Sequence, residues 1–287
     1  EQEPVLGSTP ITIGLWVGGE VTPNRDSTGH NNAVKALSDL QSGARRDNPF
    51  IILSCPWCGA QMGPVKRRNH IVCKGYNQLR NPSRVRFGCE DNECAFSGKD
   101  SLPLHVIDEA IYSEPPTLVV GTVDKFAMLP WRPEARRLFG LESNGRYAPP
   151  ELVVQDELHL ISGPLGSMVG HYETVIELLC EREHDGRNIP AKIVASTATI
   201  SRAPEQIHSL YSRDKAFLFP PQGLTAGDSF FAEEREDRPG RLYTGIFASA
   251  LPSHVTAQVN VLSALLQAIK SAPVVDPEVR DPFWTLM

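Results

Sequence analysis

Cys55 and Cys58, spaced C-x2-C, are followed after thirty intervening residues by Cys89 and Cys94, spaced C-x4-C. Thiolates at such spacings are metal ligands, and four sulfurs suit a closed tetrahedral zinc site. Gly59 follows the first pair and allows the tight turn in which backbone amides support a thiolate. No open position or flanking base accompanies the set, so the zinc would be structural rather than catalytic. His70 and Cys73 lie between the pairs as spare ligands, and Cys73 could replace one of the four. Cys180 stands among apolar residues and reads as core. Five of the six cysteines fall within forty residues of a chain that opens without a secretory pattern, which favours metal over disulfides.

A second cluster with chemical capacity is "ELVVQDELHL", residues 151–160. Asp156, Glu157 and His159 come directly after an apolar run that reads as a buried strand. At the C-terminal edge of a parallel strand, an aspartate can hold Mg2+ and a neighbouring glutamate can activate water. Two other readings of the same residues stand beside it. One is a solvated strand exit; the other is a metal-dependent hydrolase using His159 and His171, which has no i, i+4 helical pair behind it.

The elements that must carry these residues are legible in outline. "ITIGLWVG" (11–18), "PPTLVVGT" (115–122), "ELVVQ" (151–155) and "AKIVAST" (191–197) are short apolar, β-rich runs. Asn31 or Asn32 could cap a helix through Leu40, with Val34, Leu37 and Leu40 near one face. "LPLHVIDEAIY" reads as a short helix, and "TVDKFAML" starts another. "SMVGHYETVIELLCERE" places Met168, Val169, Tyr172, Val175, Ile176 and Leu179 on one stripe. Strands alternating with helices predict an α/β fold around a parallel sheet covered on both faces. Residues 220–241 are rich in Pro, Gly and charge, the best linker, and "LYTGIFAS" and "NVLSALLQAIKSA" read as one further strand and helix.

With 287 residues, 41% of them hydrophobic, the chain can build a large core, and no apolar run is long enough to span a membrane. We expect a cytoplasmic protein. It opens on Glu1 and closes on "DPFWTLM", and reads as a piece of a longer polypeptide. The formal charge is −6, yet residues 55–100 hold eight Lys/Arg and four Asp/Glu, a local +4 that leaves −10 for the rest. Lys66, Arg67 and Arg68 are consecutive, and Arg80, Arg84 and Arg86 recur at even spacing, so an extended segment could present them to a polyanion. A solvated surface accounts for the charge equally well.

Three polar turns after strands come in a telling order: "TVDKF" (122–126), "DELH" (156–159) and "STAT" (196–199). They resemble motifs Ib, II (the Walker B, DExH element) and III of superfamily 2 helicases, and "ITIGLWVGGEVTPNR" falls where motif Ia would. The resemblance covers nearly the whole chain and is nearest to the zinc-insert helicase of DISARM-type bacterial anti-phage defence. It implies a RecA-like parallel sheet flanked by helices, with a zinc-binding insert. Residues 1–47 would start the first RecA-like domain and 106–219 complete it, around an insert at 48–105. A linker at 220–241 would lead to the start of a second domain at 242–287. It further implies an ATP-dependent DNA helicase or translocase using zinc and Mg-ATP, with DNA and other defence-system subunits as partners. Asp156 would bind Mg2+ and Glu157 would be the base. His159 would couple to Ser196, Thr197, Ala198 and Thr199, while Thr122, Asp124 and Lys125 would line the nucleic-acid path, joined by Lys66, Arg67 and Arg68 from the insert.

The sequence departs from that pattern in two respects: the family's phosphate loop would lie upstream of Glu1, and the arginine-bearing motifs of the second domain beyond Met287. It carries no G-x-x-x-x-G-K-[ST] loop, so this chain would hold half an ATP site and hydrolyse nothing alone. The rival reading is a non-enzymatic zinc-stabilised nucleic-acid-binding or scaffold module on a helicase-like fold.

Overall fold

The computed structural model describes residues 10–67, 70–142, 144–198, 202–221, 223–225, 227–233, 235, 237, 243–247 and 253–271. The chain divides into two compact units, Glu1–Ala216 and Phe217–Met287.

In the first unit, β1 (Ile13–Trp16) leads to α1 (Ala33–Ser42). Asn32 caps that helix, its side-chain oxygen accepting from the Lys35 amide at 2.8 Å. Gly43 closes the helix at φ 77°, a left-handed conformation that suits glycine. Four short strands follow: β2 (Gly63–Arg67), β3 (His70–Lys74), β4 (Tyr76–Arg80) and β5 (Ser83–Phe87). They pair as two antiparallel hairpins, β2 with β3 and β4 with β5.

The segment expected as one helix at 102–112 splits instead into β6 (Leu104–His105) and α2 (Asp108–Ser113). Leu104 and His105 join the ladder of β1, so helix begins only at Asp108. Then come β7 (Leu118–Gly121), α3 (Val123–Phe126) and 3-10 turns at Leu129–Trp131 and Pro133–Phe139. Next are β8 (Leu152–Gln155), a 3-10 turn at Leu158–Leu160, and α4 (Gly163–Cys180). A hairpin of β9 (Arg182–His184) and β10 (Arg187–Ile189), then β11 (Lys192–Ala195) and α5 (Ala203–Tyr211), end the unit.

The fold is mixed α/β with parallel strands, in small sheets. Strand order β6-β1-β7 forms one parallel sheet and β11-β8 another. The sequence suggested one sheet covered on both faces. Among the described residues β7 and β8 are not paired, and Phe126, Leu129 and Leu138, which follow β7, and Val153 of β8 pack against one buried cluster of Phe139, Ile176, Cys180 and Ala191. The other face carries Leu118, Val120, Leu152, Val154 and Val194 exposed. Helix α4 also turns differently from the expected stripe. Its buried positions are Val169, Glu173, Ile176 and Cys180, while Met168 and Val175 are exposed.

The cysteine segment has no core of its own. Cys55, Cys89, Cys94, Phe50, Tyr76, Val85 and Phe87 pack in one cluster with Leu37 and Leu40 of α1, Ile107 just before α2 and Ala110 of α2. Arg86 of β5 adds a polar tie: it is buried, within 3.7 Å of Asp26, 3.8 Å of Asp100 and 3.6 Å of Glu114.

In the second unit, residues 243–247, expected as a strand, form no regular element. Helix α6 (His254–Ser271) begins earlier than the sequence suggested. No helix among the described residues is long and apolar enough to cross a membrane.

Candidate functional site

Cys55, Cys58, Cys89 and Cys94 converge, with all four sulfurs within 4.8 Å of one another. Cys55 and Cys94 stand 3.9 Å apart and Cys58 and Cys89 3.5 Å. A tetrahedral zinc with ~2.3 Å bonds to sulfur has edges of about 3.8 Å, so the donor set and spacing fit that metal. None of the four is in a disulfide.

Two loops build this arrangement. In the first, the Gly59 amide bonds the Cys55 carbonyl at 2.9 Å and the Cys55 amide bonds the Ala60 carbonyl at 2.8 Å, with Gly59 at φ 76°. In the second, Cys89 donates to Phe96 and Gly98 donates back to Cys89, at 3.0 and 3.1 Å. That return is tight: a Cβ on Gly88 would lie 1.6 Å from the Gly98 oxygen, so glycine is required there. Burial works against ionising Cys55, but the amides of Cys58 and Trp57 and the adjacent thiols outweigh it and bring the thiol to about 7. Burial pushes Cys89 up to about 12. Cys73 is buried in β3 and His70 is exposed beside it; neither joins the cluster. Cys180 is buried with Phe139, Ile176 and Ala191, in the core as expected.

The acidic cluster lies where β8 and β11 end side by side. The pairing of Ala195 with Gln155 delivers Asp156 and Ser196 together, and the Ser196 hydroxyl donates to Asp156 Oδ1. The Glu157 amide also donates to that oxygen, at 3.0 Å. The Ser196 hydroxyl foremost, then that amide, hold the Asp156 carboxyl below its ordinary range, ionised and facing solvent.

Glu157 is left-handed, at φ 53° and ψ 43°. Such backbone costs a non-glycine residue about 1–2 kcal/mol and persists where surrounding contacts over-determine it. Here Leu158 anchors the turn: its side chain is buried with Ile161, Val169, Leu210 and Tyr211, and its amide bonds the Ser196 carbonyl at 3.0 Å. Gln206 of α5 adds two bonds, from Nε2 to the carbonyls of Leu158 and Ile161 at 2.9 and 2.7 Å.

His159 faces both acid and hydroxyl. Its Nδ1 lies 3.2 Å from Glu157 Oε2, 3.5 Å from Thr197 Oγ1 and 3.4 Å from the Ala198 amide. One ring nitrogen cannot donate to Glu157 and accept from Ala198 at once, so its protonation decides which neighbour it bonds. His171 takes no part in these contacts. Thr199 lies outside the described residues.

The residues assigned to a nucleic-acid path disperse. Thr122 and Asp124 are exposed after β7. Lys125 is buried instead, with Nζ 2.5 Å from Asp108 Oδ2 and 5.9 Å from the Trp16 ring, so its charge is committed inside the fold. Lys66 and Arg67 are exposed on β2, and Arg68 lies outside the described residues. Arg80 is exposed, but Arg84 and Arg86 bond Asp100 and Glu114 and are not displayed with it. The sequence reading missed Gly88, Glu173 and Gln206, and it put Arg86 on a displayed face where the structure buries it. Gly88, next to a ligand cysteine, was the one with a visible signal.

No family model matches the chain. A comparison with curated proteins finds DISARM protein DrmA of Bacillus paralicheniformis, 34% identical over 321 aligned residues. That alignment takes in 98% of this chain and 27% of the relative, so the chain spans little more than a quarter of that protein's length. Over nearly its whole length, this chain is similar to part of DISARM protein DrmA.

Proposed function

We propose that this chain is a zinc-stabilised part of an ATP-driven DNA helicase or translocase of bacterial phage defence, and that it carries the Walker B half of the ATP site. One observation carries the reading: Asp156 and His159, with Glu157 between them, leave the end of a parallel strand, and the two bond Ser196, Thr197 and Ala198 at the end of its neighbour. The order of the three polar turns supports it, as does the similarity to a DISARM protein. In this reading residues 1–47 and 106–219 belong to one RecA-like domain around the insert at 48–105. Residues 220–241 link it to a second domain starting at 242. Other defence-system subunits are its partners.

The residues fit Mg-ATP in their chemistry. An ionised, exposed Asp156 would hold the cation, which when bound supplies charge neutralisation on the phosphates. Glu157 accepts the proton of the attacking water, and its strained backbone fixes where that carboxylate points. His159 links the state of Glu157 to the turn of Ser196–Ala198 by exchanging one hydrogen bond for another.

The test is Glu157→Gln in the longer protein, assayed for DNA-stimulated ATP hydrolysis. Losing a general base should lower kcat about 10²- to 10⁴-fold while ATP binding persists. Hydrolysis within threefold of wild type would instead favour the non-enzymatic zinc-stabilised binding module. The cysteine site, whose geometry is complete within this chain, is the observation behind that second reading.

A further inference from the structure

We propose that Gln206 is the positioning residue that keeps Glu157 in its strained conformation and couples the acidic turn to the helix following Ser196–Ala198. The inference rests on Glu157 acting as the base. The two carbonyls that Gln206 reaches, those of Leu158 and Ile161, bracket the 3-10 turn directly after Glu157. A primary amide presents two N–H donors from one nitrogen, and both are used here on backbone that belongs to another element. Leu158 is thereby held from separate sides. Its amide is fixed by Ser196 after β11, its carbonyl by Gln206 of α5, and its side chain by Leu210 and Tyr211 of α5. A shift of α5 must therefore move the turn, and with it the carboxylate of Glu157.

The chemistry is specific to an amide at this place. Glutamate has the same shape but would aim an acceptor at two acceptors; leucine keeps the volume and offers no donor. Apolar packing of Ile207, Leu210 and Tyr211 against the Leu158 cluster is separate from these bonds, so α5 stays docked when the amide is lost.

In the longer protein, Gln206→Leu and Gln206→Glu should each lower kcat for ATP hydrolysis at least tenfold, since a misplacement of ~1 Å costs about 10²-fold. KM for ATP should stay within threefold and the thermal midpoint within a few degrees. Gln206→Lys, which restores N–H donors, should recover kcat to within threefold of wild type. Amide exchange at 157–161 should rise tenfold in Gln206→Leu while β8 and α4 keep their protection. A kcat for Gln206→Leu within threefold of wild type overturns the proposal, and so does a lysine variant as slow as leucine, which assigns the loss to packing. Glu157→Gln separates the two levels: if it still hydrolyses ATP, the base assignment falls. Exchange at 157–161 then judges Gln206 alone, and unchanged exchange there overturns it.

Discussion

The cysteine site and the acidic site are opposite solutions to holding reactive groups. Cys55, Cys89 and Cys94 are 2%, 2% and 8% exposed, Cys58 alone is exposed, each sulfur faces the others, and the loops that carry them close on themselves. Glu157 has 58% of its side chain in solvent, and the bonds that hold the next residue, Leu158, come from Ser196 just after β11 and from Gln206 of α5. A site whose work is cohesion must be complete and largely buried. A site whose work is to meet a substrate must leave one side open and draw its rigidity from behind.

Metal removal tests that contrast with the largest expected effect. The chain should contain one equivalent of zinc, and structural zinc contributes about 10–16 kcal/mol in small finger folds. The cysteines share a core with Leu37, Leu40, Ile107 and Ala110, so chelation should unfold more than the hairpins. Amides of α1 and α2 should lose protection together with those of β2 to β5. This differs from the expectation for a self-contained insert, and surviving protection in α1 after zinc loss would restore that simpler picture.

How much of this could be read beforehand follows from the range of the interactions. The cysteine pairs and the strand ending in Asp156-Glu157 are local patterns, and their spacing carried enough information. The capping of α1 by Asn32 is local too. Gln206, by contrast, acts over 48 and 45 residues, and the burial of Lys125 depends on Asp108, seventeen residues away on another helix. Even spacing put Arg84 and Arg86 on one face in principle. It could not show that Asp26, Asp100 and Glu114 would be waiting there. Glu173 was hidden for another reason: an acid within an apolar helix stripe reads as exposed until the facing elements are known.

Arg86→Ala probes the first region without touching a cysteine. Its guanidinium is buried among three carboxylates, and burial already raises the Asp26 carboxyl against the pull of Arg86. Removing one partner of a buried pair costs about 3–5 kcal/mol because a charge is left uncompensated. Urea unfolding should show a loss of that size with zinc content unchanged. A loss under about 1 kcal/mol would mean that the polar tie between hairpins and helices is dispensable.

Glu173 supplies the matching test behind the acidic site. Burial first, then the nearby Glu177, raises its carboxyl from 4.5 to about 7. The folded state therefore holds the proton more tightly than the unfolded chain. Stability is highest below about pH 4.5 and declines as pH rises through 7, the reverse of a salt-bridged acid. At about 1.4 kcal/mol per tenfold change in proton affinity, the penalty above pH 7 reaches ~3 kcal/mol. Glu173→Gln should remove it, so the variant should exceed wild type in urea stability at pH 8 and lose most of that advantage by pH 5. An advantage independent of pH would show that Glu173 is protonated throughout or reaches water.

The smallest effect concerns whether the cysteine region also touches DNA. Lys66 and Arg67 are exposed on β2, whereas Arg84 and Arg86 already have carboxylate neighbours, so the two sets should behave differently. Neutralised phosphates contribute a salt dependence of ~0.9 each on duplex and ~0.7 each on single strands. Charge reversal of Lys66 and Arg67 in the longer protein should reduce the slope of log K against log salt by roughly 1.4–1.8 and weaken all sequences alike, because phosphate contacts carry no base information. Zinc content should stay at one equivalent, which separates lost contact from lost fold. If slope and affinity are unchanged, the exposed cations keep the β2–β3 hairpin soluble. In the proposed reading that leaves the strand-end turns of Thr122 and Asp124 as the DNA path, and the division between the two regions becomes sharper still.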